Sequence, residues 1–119
     1  MHESIQYDKA LEEFKEAAEI CKNNSMRMDE GRAYRMIGEA LALQSKYDDS
    51  LKFEHLYLKI AKEQKDLVEM QRAYATLGRS YLLKAEDEHD NNENCDISIN
   101  EDFKSAERAF LKGLLICKE

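Results

Sequence analysis

The sequence predicts an all-α fold, a right-handed α-solenoid slice of about five helices stacked as hairpins. Three observations carry this. The segment Arg32-Ala33-Tyr34-x-x-Ile37-Gly38 recurs 40 residues later as Arg72-Ala73-Tyr74-x-x-Leu77-Gly78, with every match on one helical face. There is no proline and there are only four glycines, so breaks are few and elements long. Apolar residues recur at helical rather than strand spacing. A repeated hairpin buries its apolar face only against its neighbours, and such arrays bind partners far more often than they catalyse.

The helices follow in order. Residues 5–21 carry the stripe Ile5, Tyr7, Ala10, Leu11, Phe14, Ala17, Ala18 and Cys21. Asn23, Asn24 and Ser25 end that helix and begin the next. Residues 27–44 form a second, with Tyr34, Ile37, Gly38 and Leu41 inward. Ser45-x-x-Asp48 reads as a capping box before a third helix over 47–64. Asp66-x-x-Glu69 starts a fourth over 67–86, and Ser98-x-x-Glu101 a fifth over 101–118. The stretch 86–100 is acidic, Asn-rich and aperiodic, and reads as a mobile polar insertion. The chain is thus one domain, 1–119: a partial repeat over 4–24, a repeat over 27–64, and a repeat over 67–118 that holds the insertion.

The outer helices align as well. Tyr7-x-x-Ala10-Leu11-x-x-Phe14-x-x-Ala17 matches Tyr47-x-x-Ser50-Leu51-x-x-Glu54-x-x-Tyr57, and then Phe103-x-x-Ala106-x-x-x-Phe110-x-x-Gly113. The small residues Ala10, Ser50 and Ala106 let helices approach closely. Gly38 and Gly78 sit mid-helix, where glycine costs about 1 kcal/mol against alanine. A second helix crossing at each glycine explains why the cost is tolerated.

Composition narrows the function. A net charge of −7 opposes direct binding to nucleic acid or to an anionic membrane. No apolar run approaches the length of a membrane span, and no signal peptide is expected at the start. Three cysteines, odd in number and without metal-like spacing, read as reduced thiols of an intracellular protein. Cys21 and Cys117 lie on apolar helical faces, as packing groups. His89 with Glu86, Asp87, Glu88, Asp90 and Cys95 matches no metal spacing and reads as an acidic loop. His55 has no Ser, Cys or Asp arranged around it. Met26, Met28 and Met36 read as core filler before binding surface. No glycine-rich phosphate loop or catalytic constellation is visible, so neither enzymatic activity nor a cofactor or metal is expected.

An aromatic, a Leu/Ile-Gly pair and an aromatic-x-x-small turn resemble the tetratricopeptide repeat, here longer than usual and without its closing proline. A closer resemblance rests on Leu67-x-Glu69-x-Gln71-Arg72-Ala73-x-Ala75-Thr76-Leu77-Gly78-Arg79-Ser80-Tyr81, on Tyr34-x-x-Ile37-Gly38-Glu39-x-Leu41, and on Tyr57-Leu58-x-Ile60-Ala61. These resemble the N-terminal repeat region of the Tonsoku (Tonsoku-like) family over residues 7–117. Related scaffolds that orient the mitotic spindle carry similar long repeats, typically with Asn after the Leu-Gly pair. This chain has Glu39 and Arg79 there. The resemblance implies a nuclear scaffold of genome maintenance that acts at damaged replication forks and handles new histones. In the family's plant branch the repeat region recognises a replicative histone tail.

In a hairpin solenoid the first helices of the hairpins line the concave face. Spacing places Arg32, Arg35, Met36, Glu39 and Leu43 there from one repeat, and Gln71, Arg72, Ala75, Thr76, Arg79 and Leu82 from the next. The candidate peptide-binding groove is Arg32, Arg35, Glu39, Gln71, Arg72, Thr76 and Arg79. Arginine forks suit the carboxylates or main-chain carbonyls of an extended peptide. Glu39, Glu69 and the acids of 86–100 suit a basic one. The plainer reading is a solvated face with pairs within one helix, such as Arg35–Glu39. Two functions follow. One is a nuclear protein-recognition module that reads a histone tail or a replication partner, with no nucleic acid or membrane contact. The other is a cytoplasmic polarity-type adaptor, or a scaffold that self-associates through uncapped terminal helices.

Overall fold

The structure is a computed structural model; it describes residues 2–91 and 96–117, with side chains described over 7–87 and 101–116. Five helices stand in series among the described residues: α1 (His2–Asn23), α2 (Arg27–Leu43), α3 (Tyr47–Glu63), α4 (Leu67–Asn91) and α5 (Asp96–Cys117). Each packs against the next, and α2 also touches α4 directly. The result is a tetratricopeptide-type array, 47 × 44 Å across and 16 Å thick in Cα positions. The inner pair α2 and α4 share one face, and α1, α3 and α5 form the other layer.

The first three junctions use one turn, repeated every twenty residues. Ser25, Ser45 and Lys65 have positive φ values of 58°, 61° and 54°. At Ser45 the main-chain N–H donates to Ala42 O at 3.0 Å, and the Lys46 N–H reaches back to Leu41 O at 2.9 Å. The same pair of bonds closes α1 (Ser25 to Lys22, Met26 to Cys21) and α3 (Lys65 to Lys62, Asp66 to Ala61). This is the Schellman geometry, in which a left-handed residue satisfies the last carbonyls of a helix. It corrects the capping box expected at Ser45-x-x-Asp48. Ser45 is the left-handed residue that ends α2, and Lys46 takes the N-cap position with no side-chain bond. At Asp66 the capping expectation holds, because its Oδ1 accepts from the Glu69 N–H at 3.1 Å.

The helices α4 and α5 reach further than their sequence suggests. α4 continues to Asn91 and α5 begins at Asp96, so much of the expected insertion 86–100 is helical. Ser98-x-x-Glu101 consequently lies inside α5 and does not start it. Ala85 is fully buried. A helix packed up to that residue adds further turns without a new nucleus. Residues 92–95, including Cys95, lie outside the described residues, as does the mobility expected of them.

Two apolar clusters hold the array. Leu11, Ile37, Ala40 and Leu41 join α1 to α2. Leu51, Tyr57, Leu58, Ala73, Tyr74, Leu77 and Ala109 join α3, α4 and α5. Tyr34 packs on both and ties them together. The mid-helix glycines Gly38 and Gly78 stand at close crossings. A Cβ on Gly38 would stand 2.7 Å from Glu54 Cγ, and one on Gly78 would stand 2.7 Å from the Phe110 ring.

Candidate functional site

The groove between α2 and α4 is built on a buried polar spine. At one end, Glu69 is 4% exposed although it is an acid, so its charge needs compensation inside the fold. The Tyr57 hydroxyl donates to its Oε2. Arg32 Nε lies 3.4 Å from its Oε1 and Arg72 Nη1 3.8 Å. Arg32 also pairs with Asp29 at 3.0 Å. Burial, reinforced by the bond to Glu69, pushes the Tyr57 phenol well above its ordinary range. Glu30 repeats the theme nearby. It is buried, accepts from the Tyr34 hydroxyl at 2.8 Å, and pairs with Arg27 at 3.0 Å.

The expected groove residues divide accordingly. Arg32 and Arg72 converge on Glu69, exposed on either side of it. Glu39 of α2 and Arg79 of α4 face each other across the groove at 4.0 Å. Thr76 is buried, and its hydroxyl donates to Arg72 O at 2.8 Å. Arg35 lies over the Tyr57 ring, 5.9 Å from the centroid. The Gln71 main-chain carbonyl lies 3.8 Å from the position a Cβ on Gly113 of α5 would take. Glu69 is committed to Tyr57 and two arginines, and Glu39 is left as the more accessible acid.

Between Glu39 and Arg79 the groove deepens into a pocket of about 210 Å³. Ala42, Leu43 and Leu83 give it apolar walls, Thr76 and Ser80 contribute hydroxyls, and Glu54 of α3 lies at its base. Glu54 is completely buried. Its Oε1 accepts from Ser80 at 2.7 Å and lies 3.1 Å from Ser50 Oγ. Its Oε2 has no hydrogen-bond partner. Burial pushes the carboxyl up to about 7, with Glu39 adding to the shift while Ser80, Ser50 and Arg79 oppose it. Glu54, Ser80 and Leu83 are not among the residues that spacing placed in the groove. The signal for Glu54 was its alignment with Phe14 and Phe110, an acid where the other outer helices carry a ring.

Among the described residues no group of His, Cys, Asp or Glu is placed to hold a metal ion, and no helix is long and apolar enough to cross a membrane. The His89 cluster lies largely outside the described side chains. Cys21 is a half-buried free thiol. His55 is exposed, its Nε2 3.2 Å from the Tyr81 hydroxyl.

Known proteins place this arrangement. The chain is 38% identical over 113 residues to a Tonsoku-like protein of Drosophila melanogaster, covering 95% of this chain. It is 34% identical over 110 residues to a Tonsoku-like protein of Mus musculus, and 33% over 113 residues to one of Bos taurus. The chain belongs to the Tonsoku-like family. It spans 7–8% of the length of these relatives, so the match is to one segment of much longer Tonsoku-like proteins. No protein-family profile matches the chain.

Proposed function

We propose that this chain is a protein-recognition module of a nuclear Tonsoku-like scaffold in replication-linked genome maintenance, and that its α2/α4 groove binds an extended protein segment such as a histone tail. The observation that carries the reading is the groove itself. Two inner helices present Arg32, Arg72 and Arg79, each more than 40% exposed, beside a mixed polar and apolar pocket. Glu69 and Glu39 lie 3.4–4.0 Å from the arginines, whose forked donors suit main-chain carbonyls. Glu39, 37% exposed, offers an acid to a basic segment, in keeping with the charge of −7. Similarity to Tonsoku-like proteins supports the scaffold part of this reading.

The test is charge reversal at Arg72 and Arg79, whose side chains are 57% and 65% exposed. Arg72→Glu with Arg79→Glu should abolish binding of a cognate tail peptide in fluorescence anisotropy while circular dichroism stays unchanged. Retained affinity in the folded double variant sinks the groove reading.

A second reading is favoured by α5. Leu111, Leu114 and Leu115 are 50–64% exposed, and Phe103 and Phe110 about 40%. Such an apolar face suits self-association with a second copy. Light scattering decides it: a mass that rises with concentration supports pairing, and a constant monomer mass removes it.

A further inference from the structure

Two outer helices carry a large side chain that lies against a mid-helix glycine of the preceding inner helix, Glu54 in α3 and Phe110 in α5, and Phe14 of α1 aligns with both in sequence. Phe110 lies against Gly78, and Glu54 takes the same place against Gly38. An acid here is costly, because a buried carboxylate loses its hydration and phenylalanine would not. The surroundings compensate it only in part. Ser80 of α4 donates to Oε1, Ser50 of its own helix lies 3.1 Å from that oxygen with the Gly38 carbonyl nearer at 2.8 Å, and Oε2 is left without a partner. Above Glu54 the pocket is walled by Ala42, Leu43 and Leu83, with Glu39 at the rim.

We infer that this pocket is the selective subsite of the groove and receives a lysine side chain of the partner protein, with the ammonium bonded to Glu54 Oε2 and the aliphatic stem between Leu43 and Leu83. This rests on the groove being the protein-binding surface. The choice of lysine follows from the acceptors. A guanidinium pairs best with both oxygens of a carboxylate. Oε1 already accepts from Ser80, and a single unpartnered oxygen suits a compact ammonium. The apolar walls match a methylene stem that buries itself while its head stays polar. Oε2 is sealed from water in the empty groove, so seating the ammonium requires a rotamer change at Glu54 or in the exposed rim leucines.

A proton is coupled to the event. The carboxyl titrates near 7 under its own burial, with Glu39 of α2 and Arg79 of α4 as the charged groups facing it. An ammonium on Oε2 favours the ionised form, so binding near neutral pH expels a proton and tightens as pH rises.

The test uses the 119-residue chain and N-acetyl-lysine methylamide, with the norleucine and arginine derivatives as controls, and follows the Glu54 carboxyl carbon by 13C NMR. The lysine derivative should move that resonance to its ionised position and lower its titration midpoint, and neither control should. An indifferent Glu54 resonance, or an equal response to norleucine, overturns the assignment. Core-histone tail peptides with each lysine in turn replaced by norleucine separate the two claims. One position should weaken binding at least about tenfold, and Glu54→Gln should erase that dependence. Tails that bind without dependence on any lysine overturn the subsite and leave the groove. If no tail binds, the groove reading fails, and the Glu54 spectrum with the small probe still decides the pocket.

Discussion

Glu54 lies across Gly38 so closely that a Cβ on the glycine would stand 2.7 Å from Glu54 Cγ and 3.1 Å from Ser50 O. The glycine is therefore required by the acid and by the backbone of α3 together. Ser50 completes the contact, its hydroxyl 2.8 Å from the Gly38 carbonyl oxygen.

That contact sets a difference between the two repeats. At Gly78 the three nearest atoms to an added methyl all belong to the Phe110 ring, a side chain 39% exposed. At Gly38 it also meets main chain. Gly38→Ala should destabilise by about 1–3 kcal/mol despite the gain in helix propensity, and Gly78→Ala by less. Urea denaturation of both variants checks the order, and equal costs would contradict it.

Burial of Glu54 makes stability depend on pH with a definite sign. Its folded value of about 7 stands above the ordinary 4.5, so between those values the folded state keeps a proton that the unfolded chain loses. The contribution is complete below about 4.5 and is lost as pH rises through about 7, at a cost of roughly 3 kcal/mol. Glu54→Gln removes this dependence. Its melting temperature should exceed that of the native chain by a margin that grows from pH 5 to pH 8. A margin that stays flat would mean the carboxyl ionises as freely in the fold as in water.

The turn residues offer stabilising changes. Ser25, Ser45 and Lys65 adopt left-handed backbone that costs about 1–2 kcal/mol for residues with a Cβ. Ser45→Gly should raise stability by about 1 kcal/mol, since it keeps both closing bonds and removes that strain. Thermal unfolding should show a higher midpoint, and a lower one would show that the Ser45 side chain supports the turn.

Tyr57→Phe tests the other polar knot. Its hydroxyl donates to the buried Glu69 carboxylate, with Arg32 and Arg72 on the far oxygen. Removing it leaves Oε2 short of a partner and should cost about 1–3 kcal/mol in chemical denaturation. A neutral substitution would mean that the arginines alone carry the Glu69 charge.

Much of this fold was legible because the repeat is carried by packing residues. The Tyr34, Ile37 and Gly38 face returns at Tyr74, Leu77 and Gly78, and both sets line helix crossings. The turns were misread for a physical reason. A serine serves either as an N-cap or as a tolerated left-handed residue, and Ser45-x-x-Asp48 satisfies the pattern of the first while serving as the second. The end of α4 reaches beyond the expected 86 because an acidic, Asn-rich composition lowers helix propensity, while attachment to the buried Ala85 removes the nucleation cost. Facing of single side chains was the least legible part. Arg79 and Glu39 face each other at 4.0 Å, while Thr76 is buried with its hydroxyl bonded within α4. The base of the pocket comes from α3, a helix that inner-face spacing does not consider.

The central claim is that the α2/α4 groove reads a specific protein segment. Calorimetric titration of the chain with unmodified tail peptides of the core histones, each beside a scrambled peptide of equal charge, tests it most directly. The account predicts that one tail binds and its scrambled counterpart does not. Equal binding of both, or none of either, would contradict it.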